Sequence, residues 1–325
     1  MRHRMRIQRN EGSVPLQATI QEVSMRIALT GCSGFIGSTL AARFTARGDQ
    51  VTGLLRSTSR RDHLDGSLDR IVEGSQCDQD CFDALLDGAD VLVHNSVDWR
   101  LLKDERIEEH YQSNLVGSLH LLDEAARRNM HVVFMSSVAV HHHMLARWDG
   151  LIDSHHPTRP GNRYGSLKAA IESHLWGLHT STNLSFAAIR PAAVYGQDPR
   201  IERTIGYPIL RDIARGKAYE RKGGGKFIHV DDVASATLAA ADRSGQPPVL
   251  LHLAELYARW CDWADIACEL LDTTVPVDRS SPQQPSNNFD LGELADAGVT
   301  LSRGMDGIRE HLATLRDRMA NEGKL

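Results

Sequence analysis

The chain has 325 residues, 41% hydrophobic and 24% charged, and its 37 Lys and Arg against 42 Asp and Glu leave a formal charge of −5. That balance lacks the basic excess of a general nucleic-acid binder, and no stretch approaches the roughly 18 consecutive apolar residues of a membrane-spanning helix. A soluble globular protein with a large core and a second lobe is expected, with neither nucleic acid nor membrane as partner.

The first 24 residues carry Arg2, Arg4, Arg6 and Arg9 without apolar periodicity. They lack the apolar centre of a secretory signal and read as a disordered arm ahead of Met25. From Met25 onward, short apolar runs alternate with glycine turns and amphipathic segments. Strands are predicted at Met25–Thr30, Gln50–Leu55, Arg70–Val72, Asp90–His94, His131–Ser136 and Leu184–Arg190. Helices are predicted at Gly34–Arg47, Cys81–Leu86, Asp104–Asn129 and Asn162–Thr180. Continuous Val/Ile/Leu runs are what strands buried on both faces look like. The class is therefore α/β, a Rossmann-type doubly wound parallel sheet over residues 25–190. Residues 191–325 form a smaller substrate lobe interleaved with that sheet. Helices are expected there at Thr204–Arg215 and Asp231–Arg243, and strands at Phe227–Val230 and Val249–Leu253. The basic segment Glu220–Lys226 and the stretch Ser280–Asn288 read as loops. Five scattered cysteines (Cys32, Cys77, Cys81, Cys261, Cys268) fit a reducing cytoplasm better than a disulfide scaffold.

Gly31, Ser33, Gly34, Phe35, Ile36 and Gly37 form a turn between the first strand and the first helix. Spaced glycines there let the backbone approach a pyrophosphate, and the free N–H groups of the helix start attract it. The spacing is G-x-x-G-x-x-G. At the end of the second strand, Leu55 stands where an NAD site carries an acid, and Arg56 follows, with Arg60 and Arg61 close behind. This favours NADP over NAD, since an arginine accommodates a 2′-phosphate. Tyr164 and Lys168 are four residues apart on one helical face, where an ammonium, helped by an oxidised nicotinamide, lowers a tyrosine pKa that is normally near 10. Ser137 ends the fifth strand upstream. Of the histidines at 141–143 and 155–156, none falls at metal-ligand spacing with a carboxylate or cysteine. No metal is expected, and their loop reads as the substrate mouth.

The glycine turn, Ser137, Tyr164 and Lys168 occur in the order found in the extended short-chain dehydrogenase/reductases, the NAD(P)-dependent epimerase/dehydratase group. Asn114-Leu-Val-Gly117, Arg190-Pro-Ala-Ala-Val-Tyr-Gly196 and Phe227-Ile-His-Val-Asp-Asp-Val233 resemble further motifs of that family, so the resemblance runs from about residue 25 to 320. It implies Tyr164 as general acid/base, Lys168 on the nicotinamide ribose, Ser137 on the reacting oxygen, Asn114 as backbone support and Pro191 near the nicotinamide. It also implies a homodimer through the two long helical segments. Ser75-Gln76 replaces an adenine-side Asp-Leu pair, with Asp78 close by, and His94-Asn95-Ser96-Val97 stands at the family's H-x-A-A as a more polar wall, so the resemblance implies Asp78 and His94 on the cofactor side. Val138-Ala139 lacks the Asp-Glu of sugar 4,6-dehydratases, and Gly225 stands where nucleotide-sugar members place a diphosphate arginine. The leading expectation is hydride transfer between NADP(H) and a ketone or secondary alcohol of a small polar substrate. A nucleotide-sugar epimerase with tightly bound NAD(P) is the alternative, and a non-catalytic dinucleotide sensor a third reading.

Overall fold

The computed structural model describes residues 24–103 and 106–325. The arm expected over 1–24 therefore lies outside the described residues, apart from Ser24, whose hydroxyl donates to Gly48 O. The strands are β1 (Arg26–Thr30), β2 (Gln50–Leu55), β3 (Arg70–Glu73), β4 (Val91–His94), β5 (His131–Met135), β6 (Leu151–Ile152), β7 (Phe186–Pro191), β8 (Ala193–Tyr195), β9 (Gly224–His229), β10 (Val249–Leu253), β11 (Leu256–Arg259) and β12 (Asn288–Phe289). The helices are α1 (Phe35–Arg47), α2 (Phe82–Leu86), α3 (Trp99–Lys103), α4 (Ile107–His110), α5 (Gly117–Arg127), α6 (Arg163–Thr182), α7 (Tyr207–Ala214), α8 (Val230–Ala241), α9 (Trp260–Leu270), α10 (Gly292–Asp296) and α11 (Gly304–Asn321).

Seven strands form one sheet in the order β10-β7-β5-β4-β1-β2-β3, and every pairing in it is parallel. Alternate residues of each strand face opposite sides, so the sheet separates two cores. Ile27, Leu29, Val133 and Met135 meet Leu40 and Phe44 of α1 and Val233 and Ala240 of α8 on one side. Ala28, Val132 and Phe134 meet Leu121 and Leu122 of α5 and Leu167, Ile171 and Leu175 of α6 on the other. Strand order reverses between β1 and β4, which opens the crevice at the carboxyl ends where such sheets bind ligands. A third core holds Tyr195, Leu210, Phe227, Trp263 and Leu312 together beside the small sheet β11-β9-β8.

Several elements differ from the sequence expectation. The helix expected over Asp104–Asn129 is α4, a π-helical stretch over Tyr111–Val116, and α5, with Asp104 and Glu105 outside the described residues. The basic loop ends earlier than expected, because Gly224–Lys226 already pairs as β9 with β11. The polar stretch after Ser280 ends in β12, which pairs with β6.

Candidate active site

The glycine turn is built for close backbone approach. Gly31 has φ +71, which a side chain rarely adopts, and a Cβ there would press on the Ser96 backbone at 3.0 Å. A Cβ on Gly37 would collide with Gly31 O, so the bare glycine lets α1 lie directly against the turn. Gly34 precedes α1 without a side-chain cap, and the first turn holds no acid. The N–H groups of Phe35, Ile36 and Gly37 therefore belong to the uncapped helix start. Ser33 and Gly34 stand at the surface of the turn, and the Ser33 carbonyl meets His63 Nε2 at 3.2 Å. These features fit a dinucleotide pyrophosphate.

The rim departs from the expected wall. Arg56 bridges to Asp98 at 2.8 Å, Arg60 to Asp62 at 2.5 Å, and Arg61 pairs with Glu73. The positive cluster read from the sequence is thus matched by carboxylates. Asp78 is exposed on the turn after β3, while the adjacent Gln76 is buried and turned inward. Gln76 Nε2 donates to Ser113 O and Asn114 Oδ1, and its Oε1 accepts from Ser96 Oγ. No role was expected of Gln76, although a polar residue where an adenine-side Leu is expected was the available signal.

His94 does not wall the crevice. It is 1% exposed, with Nδ1 at 2.9 Å from Thr30 Oγ1 and Nε2 at 2.8 Å from Ser118 Oγ. Thr30 Oγ1 already accepts the N–H groups of Asn95 and Ser96, so its proton goes to Nδ1. Nε2–H then donates to Ser118, which donates to Asn114 O. Burial, with the Lys168 charge, brings the His94 pKa down to about 3 and keeps the ring neutral in this role. Asn114 links the two rim loops: its Oδ1 accepts from Asp98 N at 2.7 Å and its Nδ2 donates to Asp98 O at 3.2 Å.

Ser137, Tyr164, Lys168 and Pro191 come together at the carboxyl ends of β5 and β7. Ser137 Oγ donates to Pro191 O at 3.4 Å. Lys168 Nζ donates to Met135 O at 2.6 Å and lies 4.6 Å from the Phe134 ring and 5.8 Å from the Tyr164 ring. Burial pushes Lys168 down to about 7, although Glu172 opposes it. Burial also drives Tyr164 up to about 12, against the nearby Ser137 hydroxyl, which favours its anion. At Tyr164 the cost of desolvating the phenolate outweighs the pull of the Ser137 hydroxyl. One aromatic residue escaped the sequence reading: Trp99, 53% exposed, stacks on Tyr164 with ring centroids 4.8 Å apart.

Behind Lys168 lies a closed polar cluster. Arg190 forms a double hydrogen bond to Glu172, at 3.0 and 2.6 Å, with both side chains buried. Arg190 Nη1 also reaches His141 Nε2 at 3.2 Å and His252 Nε2 at 3.3 Å. Burial, reinforced by Arg190, lowers His141 to about 3 and His252 to about 2, so both rings are neutral, and their Nε2 atoms lie 3.2 Å apart, where one ring donates to the other. The histidine loop is thus divided. His141 and His156 are buried, whereas His142, His143 and His155 are exposed. Among the described residues no group of three His, Cys, Asp or Glu is placed to hold a metal ion. In the second lobe, Arg221 stacks on Trp260 at 3.6 Å, Lys222 faces Asp278 at 3.6 Å and Lys226 donates to Asn287 Oδ1. Each of these three cations is engaged with a different partner.

A glycine turn under an uncapped helix start, at the reversal point of a parallel sheet and beside a Ser/Tyr/Lys set, defines the nicotinamide-dinucleotide class of Rossmann enzymes. The chain belongs to the NAD dependent epimerase/dehydratase family, whose model matches residues 27–252. It is 28% identical over 231 residues to a 3-diazoavenalumate denitrifying reductase of a Streptomyces species, covering 67% of this chain and 72% of the relative. It is 28% identical over 235 residues to the UDP-glucose 4-epimerase of Mycolicibacterium smegmatis, covering 68% and 74%. A third relative is the 4-hydroxy-2-methyl-3-oxo-4-farnesyl-3,4-dihydroquinoline-1-oxide ketoreductase of Stigmatella aurantiaca, 26% identical, with 67% and 65% covered. In fold the chain is similar to a Thermotoga maritima UDP-glucose 4-epimerase solved with UDP-glucose, at TM-score 0.75 and 19% identity, covering 92% and 99% of the two chains. The Thermus thermophilus UDP-glucose 4-epimerase complex with NAD gives TM-score 0.73 at 21% identity, covering 90% and 99%.

Proposed function

We propose that this enzyme reduces a ketone, or oxidises a secondary alcohol, on a small polar substrate, with a nicotinamide dinucleotide that supplies or accepts the hydride. The observation that carries this reading is the convergence of Ser137, Tyr164 and Lys168 beside Pro191. The turn from Gly31 to Gly37 holds the pyrophosphate through backbone N–H groups, and Lys168 serves the nicotinamide ribose. Ser137 orients the reacting oxygen, and the Tyr164 hydroxyl gives that oxygen its proton or takes it away. Asn114 acts through the loops that it fastens. A reductase and a ketoreductase are among the relatives, and Gly225, with Arg221, Lys222 and Lys226 each engaged elsewhere, makes a poor diphosphate clamp, which favours net redox chemistry.

A nucleotide-sugar epimerase is the second reading, favoured by the 4-epimerase relative. The purified enzyme is expected to oxidise NADH or NADPH stoichiometrically with carbonyl substrates. Interconversion of UDP-sugars without net cofactor change selects the second reading instead. Tyr164→Phe is expected to lower kcat by at least about 100-fold, the usual range for a positioned acid/base, with dinucleotide binding retained; turnover near the parent level removes Tyr164 from its role. Between NAD and NADP, Leu55 offers a 2′-hydroxyl no acceptor side chain, and Arg56 already has a carboxylate partner. The free thiols suit a reducing cytoplasm, and among the described residues no helix is long and apolar enough to cross a membrane. Trp176 on α6 and Ile107 on α4, both 42% exposed, give a homodimer its apolar surface; light scattering tests that assembly.

A further inference from the structure

The three arginines after β2 face two different situations. Arg60 and Asp62 are both about half exposed, and so are Arg61 and Glu73 within a similar range. Such pairs contribute little and are screened by salt, so either arginine exchanges its carboxylate for a better anion at small cost. The Arg56 bridge is of another kind, because Asp98 is only 13% exposed while Arg56 is 49% exposed. Asp98 is also held from several directions. Asn114 takes both its N–H and its C=O. Its carboxylate caps α3 by accepting the Arg100 N–H at 3.1 Å and meets the Arg100 guanidinium at 3.1 Å. A carboxylate fixed in this way gives up little rotamer entropy on pairing, and its shielded position weakens solvent competition.

The topology shows what this bridge crosses. Arg56 follows β2 and Asp98 follows β4, and these strands flank β1 on its two sides. The glycine turn that follows β1 lies between the two loops. A dinucleotide seated on the start of α1 and extending toward the end of β2 meets Arg56 with that bridge already formed. A 2′-phosphate must then compete with Asp98 for the guanidinium, and two anions sharing one arginine repel each other.

We propose that Asp98 is a cofactor-selectivity residue. By holding Arg56 it withholds the guanidinium from a 2′-phosphate, so the enzyme discriminates between the two dinucleotides less than Arg56 alone would impose. The proposal rests on the dinucleotide reading above.

Asp98→Asn is the informative change. Asn is as good a helix N-cap as Asp, the Asn114 bonds go to the backbone, and the side-chain shape is kept while the charge is lost. Dissociation constants for NADPH and NADH, from quenching of intrinsic tryptophan fluorescence, are to be compared in the parent, Asp98→Asn, Arg56→Ala and the double variant. The ratio of affinities is expected to move toward NADPH by roughly tenfold in Asp98→Asn, the worth of one charged hydrogen bond. In the Arg56→Ala background the same change is expected to leave the ratio where it was, since the arginine through which Asp98 acts is gone. An unchanged ratio in Asp98→Asn, a shift toward NADH, or an equal shift with and without Arg56 overturns the proposal. Failure of the parent to bind either dinucleotide instead overturns the functional reading on which it rests.

Discussion

Tyr164 and Lys168 lie one helical turn apart on α6, and burial acts on them in opposite senses. Both neutral forms are favoured, so Tyr164 titrates near 12 and Lys168 near 7. This has a consequence for stability. The ordinary lysine value is 10.5, so between about pH 7 and 10.5 the unfolded chain binds a proton at this position that the folded chain largely lacks. Stability therefore rises with pH across that window. Tyr164 adds nothing there, because it stays protonated in both states until about pH 10. Lys168→Met removes the titrating group while keeping an apolar stem of similar length. Urea unfolding of parent and variant at about pH 7 and pH 9 is expected to show that the parent gains about 2 kcal/mol more than the variant between them. Equal gains mean that the ammonium is stabilised in the fold as well as it is in water.

At the scale of elements, the π-helical stretch Tyr111–Val116 decides how the rim is held. A π turn inserts into the α ladder and re-aims the residues that it carries, commonly at functional sites. Asn114 lies within it and bonds Gln76, Asp98 and His110. Replacing it with Leu leaves the Asp98 N–H and the Gln76 amide short of partners in a buried place, at about 1–3 kcal/mol for each unsatisfied group. Asn114→Leu is expected to lower unfolding free energy by about 3 kcal/mol and to speed hydrogen exchange at Ser96–Asp98; full protection there would assign the rim's order to another contact. The sequence could not foretell this turn, because the one-residue phase shift it introduces is no larger than the irregularity of the apolar pattern along Ile107–Arg127. The glycine turn was legible, since its chemistry is local to seven residues. The small strands β8, β11 and β12 were not, as strands of two to four residues take their pairing from tertiary partners. Nor was the Arg56 bridge, whose partner is 42 residues away. The same limit explains His94: a polar strand end reads as a ligand until Thr30 and Ser118 are seen to take both nitrogens.

At the scale of the whole molecule, the two lobes share one chain in a way that a cut at residue 190 does not respect. β10 comes from beyond that point, yet it pairs with β7 along Val249–Leu253 and closes the edge of the central sheet. α8 also comes from beyond it, and Val233, Ala234, Ala236 and Ala240 pack in the same core as Leu40, Phe44, Val133 and Ile189. Removing residues 191–325 exposes that apolar face and leaves β7 as an unpaired edge, which invites association. The whole chain is therefore expected to unfold in one transition, with near-UV circular dichroism and tryptophan fluorescence coincident, since Trp99, Trp148 and Trp176 report on one part and Trp260 and Trp263 on the other. The fragment 24–190 is expected to bind a hydrophobic dye, to melt without a cooperative transition, and to fail to retain NADH. A soluble fragment that melts cooperatively would make residue 190 a true folding boundary, with β10 and α8 as additions to a sheet already stable. Loss of dinucleotide binding in such a folded fragment would place part of the cofactor site in the second lobe.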